Sequence, residues 1–458
     1  MALLVAAAYF MEILDVTVIA PAAPAIAAEF GVDAVDVNVA ITAYALTLGV
    51  LIPVSGWLAR RYGVRPVFLT ALLVFSAASA GCALAPGLAS LTATRVLQGV
   101  GGALMVPVGR LMILRTTPKR DLVRAIAYLT WPALLAPVVA PLVGGALAEY
   151  ASWRWIFVIN VPLGLAALTV GFRLVPSLTE EDAPGPLDRT GFVLTAAGVA
   201  GLVVAAESVR SGFGPVVVIA LVVTVAGLAA AGRHLLRAAN PLVDLRTLRV
   251  RTFRTTAVSG AVYRALITAI PFLLPLFFQI GFGWSATGAG LALMALFVGN
   301  VGIKPATTPL MQRFGIRTVL LVSIAVGVAC LAGLALLTPA LPIPVTLLLL
   351  LLGGVARSTG FTAYNSVAFA DVGPSELNHA NTLLSTLHEL GTGLGVAVAA
   401  LLVRLGGLVA DGSSAPFRVA FALLAALMLV PAAGALRLPR TAGDHVTGRA
   451  AAPAPRQA

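Results

Sequence analysis

Charge is what this chain has least of. Charged residues occupy 10% of its 458 positions and apolar ones 59%, where soluble domains carry about 25% charged residues. With a mean hydropathy of +1.00, too few polar residues are left over for a soluble domain of useful size. Cysteine is almost missing as well. Cys82 and Cys330 both fall in apolar stretches and read as small packing residues, not as a disulfide or a metal pair. Lys119 and Lys304 are the only lysines among 30 basic residues. With the heavy use of Ala, Gly and Val, this bias suggests a high-GC bacterial genome. No Gly-x4-Gly-Lys-Ser/Thr loop occurs, so ATP-driven transport within the chain is not expected. No metal cluster or hydrolase motif stands out, and no cofactor is expected.

What the chain does contain is apolar runs long enough to cross a bilayer, about 18 residues or more each. Spans are expected near 2–24, 38–58, 66–85, 91–113, 124–148, 155–175, 190–208, 215–235, 256–280, 286–308, 316–337, 342–364, 379–403 and 417–437. That predicts an all-α polytopic membrane protein with fourteen crossings. The first run has no Lys or Arg before its apolar core and is interrupted by Glu12 and Asp15, so it reads as a span and not as a cleaved leader.

The net charge of +12 would fit a nucleic-acid partner, but its distribution points elsewhere. With both termini cytoplasmic, 21 of the 30 Lys/Arg fall on inner loops and the tail, and four (Arg154, Arg210, Arg404 and Arg418) on outer loops. This positive-inside asymmetry sets orientation, and no nucleic-acid role is expected.

Residues 136–145 read Ala-Pro-Val-Val-Ala-Pro-Leu-Val-Gly-Gly. Proline removes a backbone donor and glycine loosens a helix. In lipid such sites persist where neighbouring helices cover the backbone. At about 100° per residue, Pro137, Ala140, Pro141, Gly144 and Gly145 share one face, which predicts a bent helix packed closely on a partner.

Ionisable side chains at bilayer depth are costly, at least about 2.5–3.5 kcal/mol each on insertion scales. Glu12 and Asp15 lie i, i+3 on one face of the first span. A carboxylate in a partly dry cavity can exchange a proton near neutrality; the alternative is a structural ion pair with a cation such as Arg95. A guanidinium keeps its proton, so Arg95 is expected to act electrostatically, with Gln98 beside it. His388 and Glu389 form a second candidate titrating site in span 13, and a packed polar pair is the alternative. Arg264, Lys304 and Arg357 lie nearer the inner side of their spans. Either they snorkel to the surface, or they face a central cavity and make its C-terminal side cationic, favouring neutral, zwitterionic or anionic amphiphiles. Tyr44, Trp131, Asn160, Tyr263, Asn300, Tyr364 and Asn365, with Gln98 and His388, are candidate contacts for an amphipathic ligand.

The second half echoes the first. Leu58-Ala-Arg-Arg-Tyr-Gly63-Val-Arg65-Pro-Val67 and Leu310-Met-Gln-Arg-Phe-Gly315-Ile-Arg317-Thr-Val319 share the pattern Leu-x-x-Arg-aromatic-Gly-apolar-Arg-x-Val. Such a repeat fits two six-helix bundles related about the membrane normal. The expected organisation is a bundle over 1–175, then a link, two inserted helices and a basic connector over 176–253. A second bundle covers 254–437, and a short tail 438–458.

These motifs resemble the major facilitator superfamily, in particular its fourteen-helix drug:proton antiporters. The stretch Gly56 to Arg65, with Arg61 and Gly63, resembles the loop between helices 2 and 3. Leu91 to Ala103 resembles the helix-4 motif, 136–145 the helix-5 antiporter motif, and Leu14-Asp15-Val-Thr17 through Pro24 the helix-1 motif. Trp153 to Gly164 and Asn240 to Leu245 are similar to stretches typical of that branch. Arg60 stands where the family usually has an acidic residue, and Ala140 where it has glycine. The resemblance implies a major facilitator fold in the cytoplasmic membrane. It implies a monomer exchanging protons for small amphipathic drugs, antibiotics or toxic metabolites by alternating access, and no enzyme. Asp15, Glu12, Arg95 and Glu389 would couple protons, with Gly56, Arg61, Gly63, Arg65, Pro137, Pro141, Gly144 and Gly145 serving the conformational change. A proton-coupled importer and a non-transporting receptor or scaffold are the alternatives.

Overall fold

The structure is a computed structural model that describes residues 1–116, 122–175, 186–208, 214–238, 241, 243–373, 377–439 and 441–443. Side chains at 2, 114–116, 122–134, 203, 206–208 and 377–379 are outside that description. The helices are α1 (Ala2–Phe30), α2 (Asn38–Tyr62), α3 (Val64–Ala83), α4 (Leu88–Thr116), α5 (Leu122–Tyr150), α6 (Trp155–Val158) and α7 (Asn160–Leu174). Then come α8 (Arg189–Ser208), α9 (Pro215–Arg237), α10 (Arg251–Leu276), α11 (Ala286–Gly302), α12 (Lys304–Phe314), α13 (Ile316–Leu336), α14 (Ile343–Ala368), α15 (Leu377–Val409), α16 (Ala415–Leu427) and α17 (Leu429–Leu436).

Among the described residues, 11 helices are long and apolar enough to cross a membrane, or 12 if the bent pair α11 and α12 forms one span. Leu135–Tyr150 and Arg189–Leu202 are apolar but shorter. The expected straight span at 286–308 is broken. α12 turns 50° away from α11, because Pro305 at its N-terminus has no amide to give α11 and its ring would strike the carbonyl of Val301. α5, by contrast, runs unbroken through Pro137 and Pro141. Aliphatic side chains of α9 such as Ile219, Val222 and Val225 are 60–69% exposed. Apolar surface facing outward on that scale is what lipid covers.

The two parts of the chain pack alike. α1 against α5, α3 against α4 and α2 against α4 are repeated by α10 against α15, α13 against α14 and α11 against α14. α2 against α15 and α5 against α11 join the two sets, while α8 and α9 pack mainly on each other and touch α2. The repeated loop is duplicated in geometry too. Gly63 sits at φ 87°, ψ 153° and Gly315 at φ 81°, ψ 148°, a region open in practice to glycine alone. Two residues on, Arg65 Nη2 donates to the carbonyl of Phe172 at 2.7 Å and Arg317 Nη2 to that of Leu436 at 2.9 Å. Each arginine therefore ties the start of its helix to the end of the last helix of its set.

Lys119 and Arg120, the acidic segment 179–185, Arg210 and Asn240 lie outside the described residues, as do Arg440 and residues 444–458.

Replacing Gly63 or Gly315 with alanine is expected to cost roughly 1–3 kcal/mol by forcing a side chain into that backbone region. Gly56→Ala should be tolerated, because an added methyl there meets nothing within 4 Å. Unfolding temperatures in detergent compare the three variants directly.

Candidate functional site

A cavity of about 420 Å³ lies between the two sets of helices, lined from α1, α2, α4, α5, α10, α11, α12, α14 and α15. Most of its wall is apolar, with Ile13, Val16, Ile41, Leu48, Ile52, Phe272, Phe297 and Phe361 among the lining residues. Two carboxylates, Glu12 and Glu389, and three basic side chains, Arg264, Lys304 and Arg357, line it. Its volume is within the range of small-molecule sites, about 300–1,000 Å³.

Glu12 and Asp15, one turn apart, occupy different environments. Glu12 lines the cavity, half-buried. Asp15 is fully buried behind it, in a polar cluster inside the first set. Arg95, itself 0% exposed, pairs with Asp15 Oδ2. Asp15 Oδ1 accepts from Gln98 Nε2 and Asn160 Nδ2, each at 2.9 Å. Both amides also donate to Ser79 Oγ, at 2.6 and 3.3 Å, and Arg95 Nη1 donates to Gln98 Oε1 at 2.8 Å. A desolvated carboxylate held by three donors is a firmly anchored anion. Gln98 and Asn160, expected at the ligand, thus sit in this cluster and do not line the cavity.

The ring of Tyr44 separates cluster from cavity. It lies 4.1 Å from the Arg95 guanidinium carbon, within cation–π range, and its other side lines the cavity. Its buried hydroxyl has no hydrogen-bond partner among the described residues. The wall thus transmits the charge of Arg95 without exposing it.

On the opposite side Arg264 Nε donates to Thr392 Oγ1 at 3.0 Å and lies over the Phe361 ring at 4.9 Å. Arg357 lies over Phe297 at 5.2 Å, and Lys304 Nζ donates to Thr362 Oγ1 at 3.0 Å. The bend before α12 points this lysine inward. Of the two readings open from the sequence, the cavity-facing one is realised for all three. Glu389 and Asn300 line the same cavity, whereas buried His388 packs against Phe361 at 5.2 Å between ring centres. Asn365 donates to the Phe361 carbonyl of its own helix, at 2.8 Å. Tyr263 and Tyr364 bond the carbonyls of Ala356 and Pro431 at 3.2 and 3.0 Å, which makes them struts between helices. The side chain of Trp131 lies outside the described residues.

The 136–145 face meets two partners instead of one. A methyl on Gly144 would come within 2.1 Å of the Val18 carbonyl of α1, and one on Gly145 within 2.4 Å of the Ala286 carbonyl of α11. Gly290 of α11 answers with 2.3 Å to the carbonyl of Pro141. Ala140 is fully buried and Pro137 lines the cavity. Polar contacts lie toward the same end. Arg404 pairs with Asp36, the Thr287 amide donates to Glu149 at 2.8 Å, and Gln279 Nε2 donates to the Pro21 carbonyl at 2.9 Å. These contacts join the two sets of helices at the Asp36 end.

Sequence reasoning missed Ser79 and the Asp36–Arg404 pair. Ser79 gives no signal in an apolar span. Asp36 and Arg404 sit in loop-like and terminal positions 368 residues apart, where pairing is invisible without the fold.

Two sets of helices in one repeated arrangement, joined around a central charged cavity, are the architecture of a multi-pass membrane transporter. Residues 5–396, and again 256–458, match the Major Facilitator Superfamily, and the chain belongs to that family. It is 36% identical over 409 residues to the "Putative multidrug resistance protein MdtD" of Escherichia coli, covering 88% of this chain and 86% of the relative. Its identity to the protein of the same name from Cronobacter sakazakii is 36% over 448 residues, 95% of this chain and 94% of that one. In fold it is similar to a bacterial homologue of the human lysosomal transporter Spinster, crystallised inward-facing and unoccupied, with a TM-score of 0.67 at 18% identity, covering 99% and 98% of the two chains. A D-xylose-proton symporter superposes with a TM-score of 0.66 at 15% identity, covering 96% and 98%.

Asp15→Asn should cost about 3–5 kcal/mol by leaving the Arg95 guanidinium buried without its counter-charge. Adding Arg95→Gln should recover much of that stability, a coupling that thermal unfolding of the single and double variants measures. Ala140→Leu is expected to fold yet lose at least tenfold in transport, because the side chain would wedge a fully buried contact; normal transport by a folded Ala140→Leu protein would show that this seam does not need to close tightly.

Proposed function

We infer that the chain is a proton-coupled exporter of small amphipathic molecules, working by alternating access across the cytoplasmic membrane of a bacterium. The observation that carries this reading is the placement of Glu12 and Glu389 in one cavity, from opposite halves, with no ion-pair partner described for either. A carboxylate that faces a narrow watered cavity can pass a proton between the two sides. Asp15, held by three donors, serves by fixing Arg95 behind Tyr44 and so biasing Glu12. This divides the expected proton-coupling set in two: Glu12 and Glu389 exchange protons, while Asp15 and Arg95 position and tune.

In the cycle, a closed Asp36 end leaves the cavity to the cytoplasm. Substrate enters as protons leave the two glutamates, the glycine seam between α5 and α11 parts, and the halves rock about the site. Outside protons then reload the glutamates and reset the carrier. The relatives' name, "Putative multidrug resistance protein", and the close-packed α5 seam support export over import.

The wider assignments rest on the same reading. The chain crosses the membrane fourteen times as a monomer with both termini in the cytoplasm. It has bundles over 1–175 and 254–437, the inserted pair within 176–253 and a tail from 438, with Gly56, Arg61, Gly63 and Arg65 forming a hinge loop.

Expression in a pump-deficient bacterium should raise the tolerated concentration of some amphipathic antibiotics severalfold. A proton uncoupler should abolish the gain, and so should Glu12→Gln combined with Glu389→Gln at equal protein level. Resistance that persists in the presence of the uncoupler would overturn proton coupling.

A further inference from the structure

The charges of the cavity are sorted, and the sorting deepens the export reading, on which this inference rests. The charged neighbours of Glu12 are Glu389, Asp15, Arg264 and Arg95, so the two carboxylates that line the cavity, Glu12 and Glu389, share the α1–α15 side. Lys304 has Arg357 as its charged neighbour, and Arg357 has Arg264, so two cations share the α12–α14 side. Arg264 stands between. Among the described residues none of these three cations has a carboxylate within ion-pair distance, and Nη1 of Arg357 is buried with no hydrogen-bond partner. Cations held together without counter-charge are costly unless a ligand supplies it. A purely cationic amphiphile would meet three like charges here. A purely anionic one would satisfy those cations but leave the glutamates free to keep their protons, so it would not compete with protons as an exchanger requires.

We propose that the cavity takes zwitterionic amphiphiles. Their carboxylate sits between Arg357 and Lys304, their ammonium at Glu12 and Glu389, and their apolar body along Ile13, Val16, Leu48 and Phe297. The acid head supplies the missing counter-charge. The ammonium is drawn to ionised glutamates, so its binding and their protonation exclude one another, which is the competition that exchange needs. Arg264 orients both by standing at the border.

Three fluorescent probes with one apolar body test this on the purified full-length protein in nanodiscs: 2-naphthylalanine, 2-(2-naphthyl)ethylamine and 3-(2-naphthyl)propanoate. The zwitterion should bind at least tenfold more tightly than the amine or the acid, and more weakly as pH falls and the glutamates are protonated. Arg357→Gln should weaken the zwitterion about tenfold and strengthen the amine, and Glu12→Gln should weaken both. Equal binding of the three probes, tightest binding of the amine, or no binding of any would overturn the proposal; the wild-type comparison stands even if a variant fails to fold. Proteoliposomes separate the two readings. Zwitterion selectivity without proton-linked flux would sink export and leave the ligand class standing. Proton-linked flux of the amine alone would sink the ligand class and leave export standing.

Discussion

A charge inside a membrane protein needs either a partner or water, and this chain uses both solutions within one helical turn. Asp15 takes the first. It is fully buried, its oxygens met by Arg95, Gln98 and Asn160. Glu12 takes the second, facing the cavity. The difference follows from helix geometry: residues three apart share a face but are offset enough for one to look into the bundle and the other past it. Arg95 could not be buried without Asp15, and Tyr44 would have no cation behind its ring without Arg95. The cavity wall depends on that one pair.

The same economy governs the seam between halves. Helices in lipid gain little from apolar contact with each other, since the lipid is equally apolar, and associate through close backbone packing and selective polar bonds. At the α5–α11 seam the chain uses glycines for closeness and adds the Glu149–Thr287 bond, while Asp36–Arg404 joins α15 to the segment between α1 and α2. Contacts of this kind are firm when closed and leave no interlocked side chains to unpick, which suits the repeated opening that the proposed cycle requires.

Much of this was legible in residues. Composition and apolar runs gave the class of protein, and the repeated Leu-x-x-Arg-aromatic-Gly pattern predicted a duplication that the twin Gly63 and Gly315 conformations and the twin arginine clasps realise. The pairing of Asp15 with Arg95 was one of the two readings open at the outset. Three things were hidden. Whether Arg264, Lys304 and Arg357 snorkel or turn inward depends on helix rotation, which spacing leaves free. The break before α12 was masked by an unbroken apolar run, although Pro305 marks it. The 136–145 face reads as one surface on a helical wheel, yet it divides between two neighbours because α5 is wedged between α1 and α11.

Arginine carries nearly all the basic charge of the chain, and this leaves the α12 bend with an unusual property. A primary amine is a nucleophile when uncharged, whereas guanidinium is inert under the same conditions. With two lysines in 458 residues, and one of them lining the cavity, the cavity carries an amine that few other positions of the chain offer. Amine-directed reagents small enough to enter would mark the chamber of the unmodified protein, and the rate of marking would follow how often it stands open.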